Sequence, residues 1–155
     1  MIELDSFDQK ILHVLGDDGR VSWRDLAARI GLSFTPTLRR VRKLEEEGII
    51  RAKVALLDRK KLNINVIVMV FIKTAQHNAE WIEKFHNHIH TIDEVIEVYR
   101  MAGETDYLLK VAVPDVLEYD KVYKKIIQIS GLTDVSSSFA MEQIKYTTEL
   151  PLNFL

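Results

Sequence analysis

Arg39, Arg40, Arg42 and Lys43 fall within five positions of the stretch SFTPTLRRVRKLEEEGII, residues 33–50, and no acid follows until Glu45. Cations on a helix commonly pair with acids three or four positions away. Arg39 and Arg40 have no acid at either spacing, and those within reach of Arg42 and Lys43 begin only at Glu45, which leaves charge for an external polyanion. Arginine can donate two hydrogen bonds to the edge of a guanine, lysine suits a phosphate, and hydroxyls and a helix N-terminus suit phosphate oxygens. The candidate contacts are Thr35, Thr37, Arg39, Arg40, Arg42 and Lys43, with the hydroxyls of Ser22 and Ser33 beside them. A solvated face is the ordinary fate of a charge run, so the reading depends on what holds the helix.

Two other groups of residues could do chemistry. Gly103 and Asp106 bracket the turn GETD. Such a turn can point N–H groups at a carboxylate, and its acid can answer an ammonium or hold the turn in shape. Glycine and aspartate are also simply good turn residues. His86 and His90, in FHNHIH, are four apart and can chelate a metal from one helix face. No third ligand stands at a suitable spacing, and Trp81, Ile82, Phe85 and Ile89 already define that helix by a buried face, so a solvated face is the simpler reading. There is no phosphate-binding glycine loop, nucleophile motif or metal motif, and the serines at 136–138 have no evident base. An enzyme is not expected, nor a metal or a cofactor.

The 155 residues are 47% hydrophobic and contain no cysteine, which excludes disulfides and thiolate sites. The formal charge of -2 hides an asymmetry. Residues 1–61 carry 13 Lys/Arg against 10 Asp/Glu, and the remainder 8 against 13. The basic part is therefore the candidate for a polyanion. The start, MIELDSFDQK, lacks the charge pattern of a secretory signal, and the longest apolar run, residues 66–72, is far short of the roughly 20 that span a membrane. A soluble cytoplasmic protein with no membrane partner is expected.

The elements that position the cations read as three helices. Phe7, Ile11, Leu12 and Leu15 recur at helical spacing behind Asp5 or Ser6 as a cap. Ser22 and Asp25 open a second helix facing inward with Leu26, Ala27 and Ile30, and Gly31 closes it. Ser33 or Thr35 caps the third, whose spacing predicts a buried stripe of Leu38, Val41 and Leu44. Residues 49–57 have strand composition and suit a wing, on which Arg51 and Lys53 would lie. Three helices and a wing make a winged helix-turn-helix, and this is what favours DNA over a bare solvated face.

Beyond residue 61 the pattern changes to strand 64–73, helix 79–90, strand 95–102, strand 107–113, helix 116–129 and strand 135–146. This βαββαβ order is ferredoxin-like. In the first strand Val66, Val68, Val70 and Ile72 point one way while Ile67, Met69 and Phe71 point the other. Both faces are apolar, so the one without helices is expected to pack on a second sheet, most simply that of another copy, the alternative being that the interdomain linker or the tail ELPLNFL covers it.

The segment LDSFDQKILHVLGDDGRVSWRDLAARIGLSFTPTLRRVRKLEEEGII resembles the N-terminal part of the leucine-responsive/AsnC (Lrp/AsnC, feast/famine) regulators. GETDYLLKVAVPD is similar to that family's G-x-x-D-Y-L-L-K-x-x-V-x-D signature. One departure is Phe34, where the family usually has proline after the cap serine. The resemblance implies an α+β chain: a winged helix-turn-helix over 1–61 joined to a ferredoxin-like, ACT-like (RAM-type) domain over 62–155 that binds an effector and oligomerises. It implies a regulator of transcription that binds double-stranded operator DNA and responds to a small amino acid; the apolar Met101 and Ala140 favour an apolar side chain, so leucine or methionine is expected. It further implies a homodimer that assembles to a tetramer or octamer. Carried over by residue, the effector contacts are Met101, Gly103, Glu104, Thr105 and Asp106, with Ser136, Ser138 and Ala140 on the last strand. The alternative is a metabolite sensor acting through protein partners rather than DNA.

Overall fold

The computed structural model describes residues 3–154. The chain divides into two compact units, Met1–Leu56 with Lys145–Leu155, and Leu57–Ile144. That grouping differs from a division at 61/62 by placing residues 57–61 in the second unit and by returning the tail to the helical unit, where Thr148 Oγ1 donates to the Gly16 carbonyl at 2.9 Å.

The first unit contains α1 (Ser6–Asp17), α2 (Trp23–Ile30) and α3 (Phe34–Glu46). Asp5 caps α1 in a reciprocal capping box with Asp8, satisfying N–H groups that the first turn leaves without partners. Ser22 caps α2, accepting from the Asp25 N–H at 3.1 Å. Gly31 ends α2 at φ 76°, a left-handed conformation that glycine adopts at no steric cost. Ile11, Leu26, Ile30, Val41 and Leu44 form the core. Leu38, expected in the buried stripe, is only half-buried, and Thr37 takes the place instead. Positions 37, 41 and 44 follow the helical period, whereas a strict spacing of three drifts off the face. The hydroxyl is tolerated there because Thr37 Oγ1 donates to the Ser33 carbonyl at 3.0 Å.

Residues 51–58 form no helix, turn or strand pair among the described residues, so the expected wing hairpin is absent as a ladder. Lys53 anchors the segment instead: its ammonium lies 3.9 Å from the Trp23 ring centroid and 3.1 Å from Glu45 Oε1.

The second unit runs β1 (Val66–Thr74), α4 (Ala79–Ile89), β2 (Val95–Arg100), β3 (Tyr107–Val113), α5 (Val116–Ile126) and β4 (Leu132–Phe139). The sheet is antiparallel in the order β2-β3-β1-β4. Val68, Val70 and Ile72 of β1 pack with Leu109 and Val111 of β3 against Trp81, Phe85, Val122 and Ile126 from the two helices. β4 stops at Phe139 rather than 146 because its neighbour runs out. Phe139 pairs with Val68, and the Ala140 N–H reaches the Ile67 carbonyl at 2.9 Å, near the start of β1.

The opposite sheet face carries Ile67, which is buried, and Met69 and Phe71, which are half-buried, and neither helix of this unit packs on it. In register beside Phe71 stand Leu108 and Ser136, and beside Met69 stand Lys110 and Ser138. Lys110 Nζ meets Glu97 Oε1 at 2.6 Å and the Tyr99 hydroxyl donates to Glu97 Oε2 at 2.6 Å. These two donors hold the Glu97 carboxyl below its usual range.

Candidate nucleic-acid interface and effector turn

Successive residues of a helix are rotated by about 100°. On α3 this places Thr35, Arg39, Arg42 and Lys43 on one arc, opposite the buried stripe of Thr37, Val41 and Leu44. All four are exposed, and among the described residues none of the three cations enters an ion pair. Thr35, Leu38, Arg39, Arg42, Lys43 and Glu46 line one shallow depression along this arc. Ser33 occupies the cap position of α3 but its side chain makes no capping hydrogen bond, so the first amides of the helix and this hydroxyl face the same exposed end. The arrangement presents donors to a polyanion lying along α3.

Three of the expected contacts are otherwise engaged. Thr37 is fully buried and its hydroxyl is spent on Ser33. Ser22 lies outside α3 and its hydroxyl is committed to Asp25, donating to Oδ2 at 2.7 Å. Arg40 turns back onto its own unit, with Nη1 2.7 Å from Asp5 Oδ2 and 2.8 Å from Asp8 Oδ1, and the guanidinium 5.5 Å from the Phe7 ring centroid. One residue of rotation separates it from Arg39. That step carries Arg40 to the flank of the buried stripe, where α1 begins. The Asp8 N–H first, and the Arg40 guanidinium after it, hold the Asp5 carboxyl below its usual range. Arg40 itself is raised, chiefly by its hydrogen bond to Asp8. A helical wheel combined with the Asp5/Asp8 capping pattern is the sequence signal that points to this clamp.

Arg40→Ala is expected to lower the stability of the protein by about 1–2 kcal/mol, because it strips a charged donor from Asp8, which is 8% exposed. The low end of the range for charged hydrogen bonds applies since the Arg40 side chain is 28% exposed. The folded Asp5 titrates below its unfolded value, so its contribution is present above about pH 4 and is lost as pH falls through the folded pKa. Urea unfolding at neutral pH and an acid titration check this: the variant unfolds at lower urea and at higher pH than the wild type.

In the second unit Met101, Gly103 and Glu104 are exposed, and Thr105 and Asp106 are half-buried, on the turn between β2 and β3. Gly103 has φ 135°, as a glycine-opened turn requires. Asp106 is committed on three sides. Its N–H donates to the Ile72 carbonyl at 2.9 Å, its carbonyl accepts from Met101 N–H at 2.8 Å, and Oδ2 accepts from Thr74 N–H at 2.8 Å. Of its two possible roles, holding the turn is the one this geometry displays. Ser136, Ser138 and Ala140 are exposed, and the two serines share the open sheet face with Phe71 and Met69. His88 Nε2 lies 2.9 Å from the Lys125 carbonyl at the end of α5, so this histidine joins the two helices. No helix among the described residues is long and apolar enough to cross a membrane.

Comparison with known proteins agrees with both units. Residues 4–51 match a model described as winged helix-turn-helix DNA-binding, and residues 67–150 match the Lrp/AsnC ligand binding domain. The DNA-binding transcriptional activator DecR of Escherichia coli (strain K12) is 45% identical over 150 residues, covering 96% of this chain and 99% of that one. A crystal structure of an AsnC family transcriptional regulator from Agrobacterium tumefaciens superimposes with a TM-score of 0.94 at 51% identity, covering 98% and 99% of the two chains. A transcriptional regulator from Neisseria meningitidis, solved as a complex with L-Met, superimposes with a TM-score of 0.93 at 35% identity, covering 98% and 99%. With its helix-turn-helix, its match to the Lrp/AsnC ligand binding domain and these relatives, the chain belongs to the Lrp/AsnC family of DNA-binding transcriptional regulators.

Proposed function

We propose that this regulator reads operator DNA with Arg39, Arg42, Lys43 and Thr35, and that Ser33 and the start of α3 meet a phosphate. The observation that carries this reading is the exposed, unpaired state of the three cations on the arc opposite the core. Two α3 helices of a homodimer would enter successive major grooves about 34 Å apart and select a pseudo-palindromic site. The uncovered face around Phe71 and Met69 supplies the apolar surface for the dimer, which builds further to a tetramer or octamer in the cytoplasm. Pairing matters because one small basic module binds weakly at physiological salt, while a tethered second module benefits from a raised effective concentration.

The effector is a small amino acid held by residues 101–106, with Ser136, Ser138 and Ala140 nearby. The L-Met complex of the Neisseria relative and the apolar Met101 support methionine, with leucine next. Such a ligand controls DNA binding if it favours one assembly or orientation over another by a few kcal/mol. A melting-temperature screen of the twenty amino acids is expected to show stabilisation by L-methionine or L-leucine and little by the others. A flat screen would remove the effector assignment. A duplex-DNA titration at low and high salt tests the other half of the reading, since a steep loss of affinity with salt marks phosphate contacts.

A further inference from the structure

Thr74 is one of the few buried polar residues of the chain, and neither the core nor the DNA-reading helix accounts for it. It stands at the end of β1, where the register with β4 shifts between Lys73 and Thr74, so its polar groups are released from the regular ladder. Its N–H and hydroxyl go to loops. The Thr74 N–H donates to Asp106 Oδ2 at 2.8 Å, and Oγ1 donates to the Gly131 carbonyl at 2.8 Å while accepting from Gln76 N–H at 3.0 Å. Gly131 sits at φ 84°, and a Cβ there would come within 2.7 Å of Gln76 Cγ and 3.0 Å of Trp81 Nε1. Trp81 Nε1 in turn donates to the Ser130 carbonyl at 2.6 Å. One buried threonine thus ties the β2–β3 turn to the loop that leads into β4.

We propose that Thr74 is a positioning residue for amino-acid binding, holding the 101–106 turn through the Asp106 carboxylate and the entry to β4 through Gly131. Asp106 then acts as a hydrogen-bond acceptor for Thr74 rather than as a counter-ion for the ligand ammonium. This rests on the effector reading above and extends it to residues outside the expected contact set. The Thr74 N–H is main chain and survives replacement by valine or serine, so removing the Asp106 acceptor loosens the turn while removing the Thr74 hydroxyl loosens the entry to β4, and a neutral acceptor of the same shape at 106 preserves the turn.

The test is a calorimetric titration of the full chain with L-methionine and L-leucine, using Thr74→Val, Thr74→Ser, Asp106→Ala and Asp106→Asn. T74V and D106A are expected to bind about tenfold or more weakly than wild type. T74S keeps the hydroxyl and D106N keeps an acceptor oxygen, so both are expected within about threefold of wild type. D106N as weak as D106A would assign Asp106 to the ammonium and overturn the proposal; so would T74V binding like wild type. D106N is nearly isosteric and decides the question even where T74V folds poorly. If the wild type binds neither amino acid, the effector reading fails, and amide exchange then judges the clamp alone. Faster exchange at Thr74 and Met101 in D106A supports it, and unchanged protection refutes it.

Discussion

Arg39→Ala combined with Arg42→Ala is expected to weaken operator binding about a hundredfold or more. Each protomer of a dimer loses two cations, and a well-placed arginine contact to a base is worth about 1–3 kcal/mol. Where the contact is to phosphate, each one lost makes the fall of log affinity with log salt shallower by about 0.9. A mobility-shift titration at several salt concentrations reads both effects. The pair is chosen because both side chains are exposed and unpaired among the described residues, so their removal disturbs no ion pair of the fold. Arg40→Ala is the contrasting variant, because its guanidinium is held by Asp5 and Asp8 and its loss is expected to register in stability. Wild-type affinity and salt dependence in the double variant would remove α3 as the reading element.

Phe71→Asp is expected to convert the protein to a monomer. Phe71 lies on the uncovered sheet face between Leu108 and Ser136, with Tyr99 beyond Leu108 in the same row. In a monomer a carboxylate there is half-solvated and inexpensive. In a two-fold interface it appears in both copies and loses its water, and an unpaired buried charge costs several kcal/mol. Sedimentation velocity separates the states, and DNA affinity should fall with dimerisation because the second contact is no longer tethered. The Glu97–Lys110 pair on the same face, joined by the Tyr99 hydroxyl, is mutually satisfied, which limits the desolvation cost of covering it. A variant that sediments like the wild type would place the dimer interface elsewhere.

Much of the architecture was legible because it rests on local chemistry. Cap residues such as Ser22, the left-handed Gly31 and the inward residues Leu26, Ala27 and Ile30 mark α2 within ten positions of each other. The unbroken, largely β-branched apolar run 66–72 marks β1, and its two apolar faces foretell one that the helices of the unit do not fill. The misreadings arose where a distant partner decides. β4 ends where β1 begins, so its length is a property of the pair. Residues 49–57 have strand composition, yet no neighbouring strand accepts their hydrogen bonds among the described residues.

By itself the sequence determined the order of elements, the placing of a cationic helix in the first unit and the GETD turn in the second, because helical and strand periods and turn chemistry act over a few residues. Only the tertiary structure decided which cations face outward and what the turn's acid does. Arg40 meets Asp5 and Asp8 from across the helical unit, and Asp106 meets Thr74 from the neighbouring strand. Such partners lie some thirty positions apart and are brought together by packing, which sends Arg39 to solvent and turns Arg40, its immediate neighbour, inward.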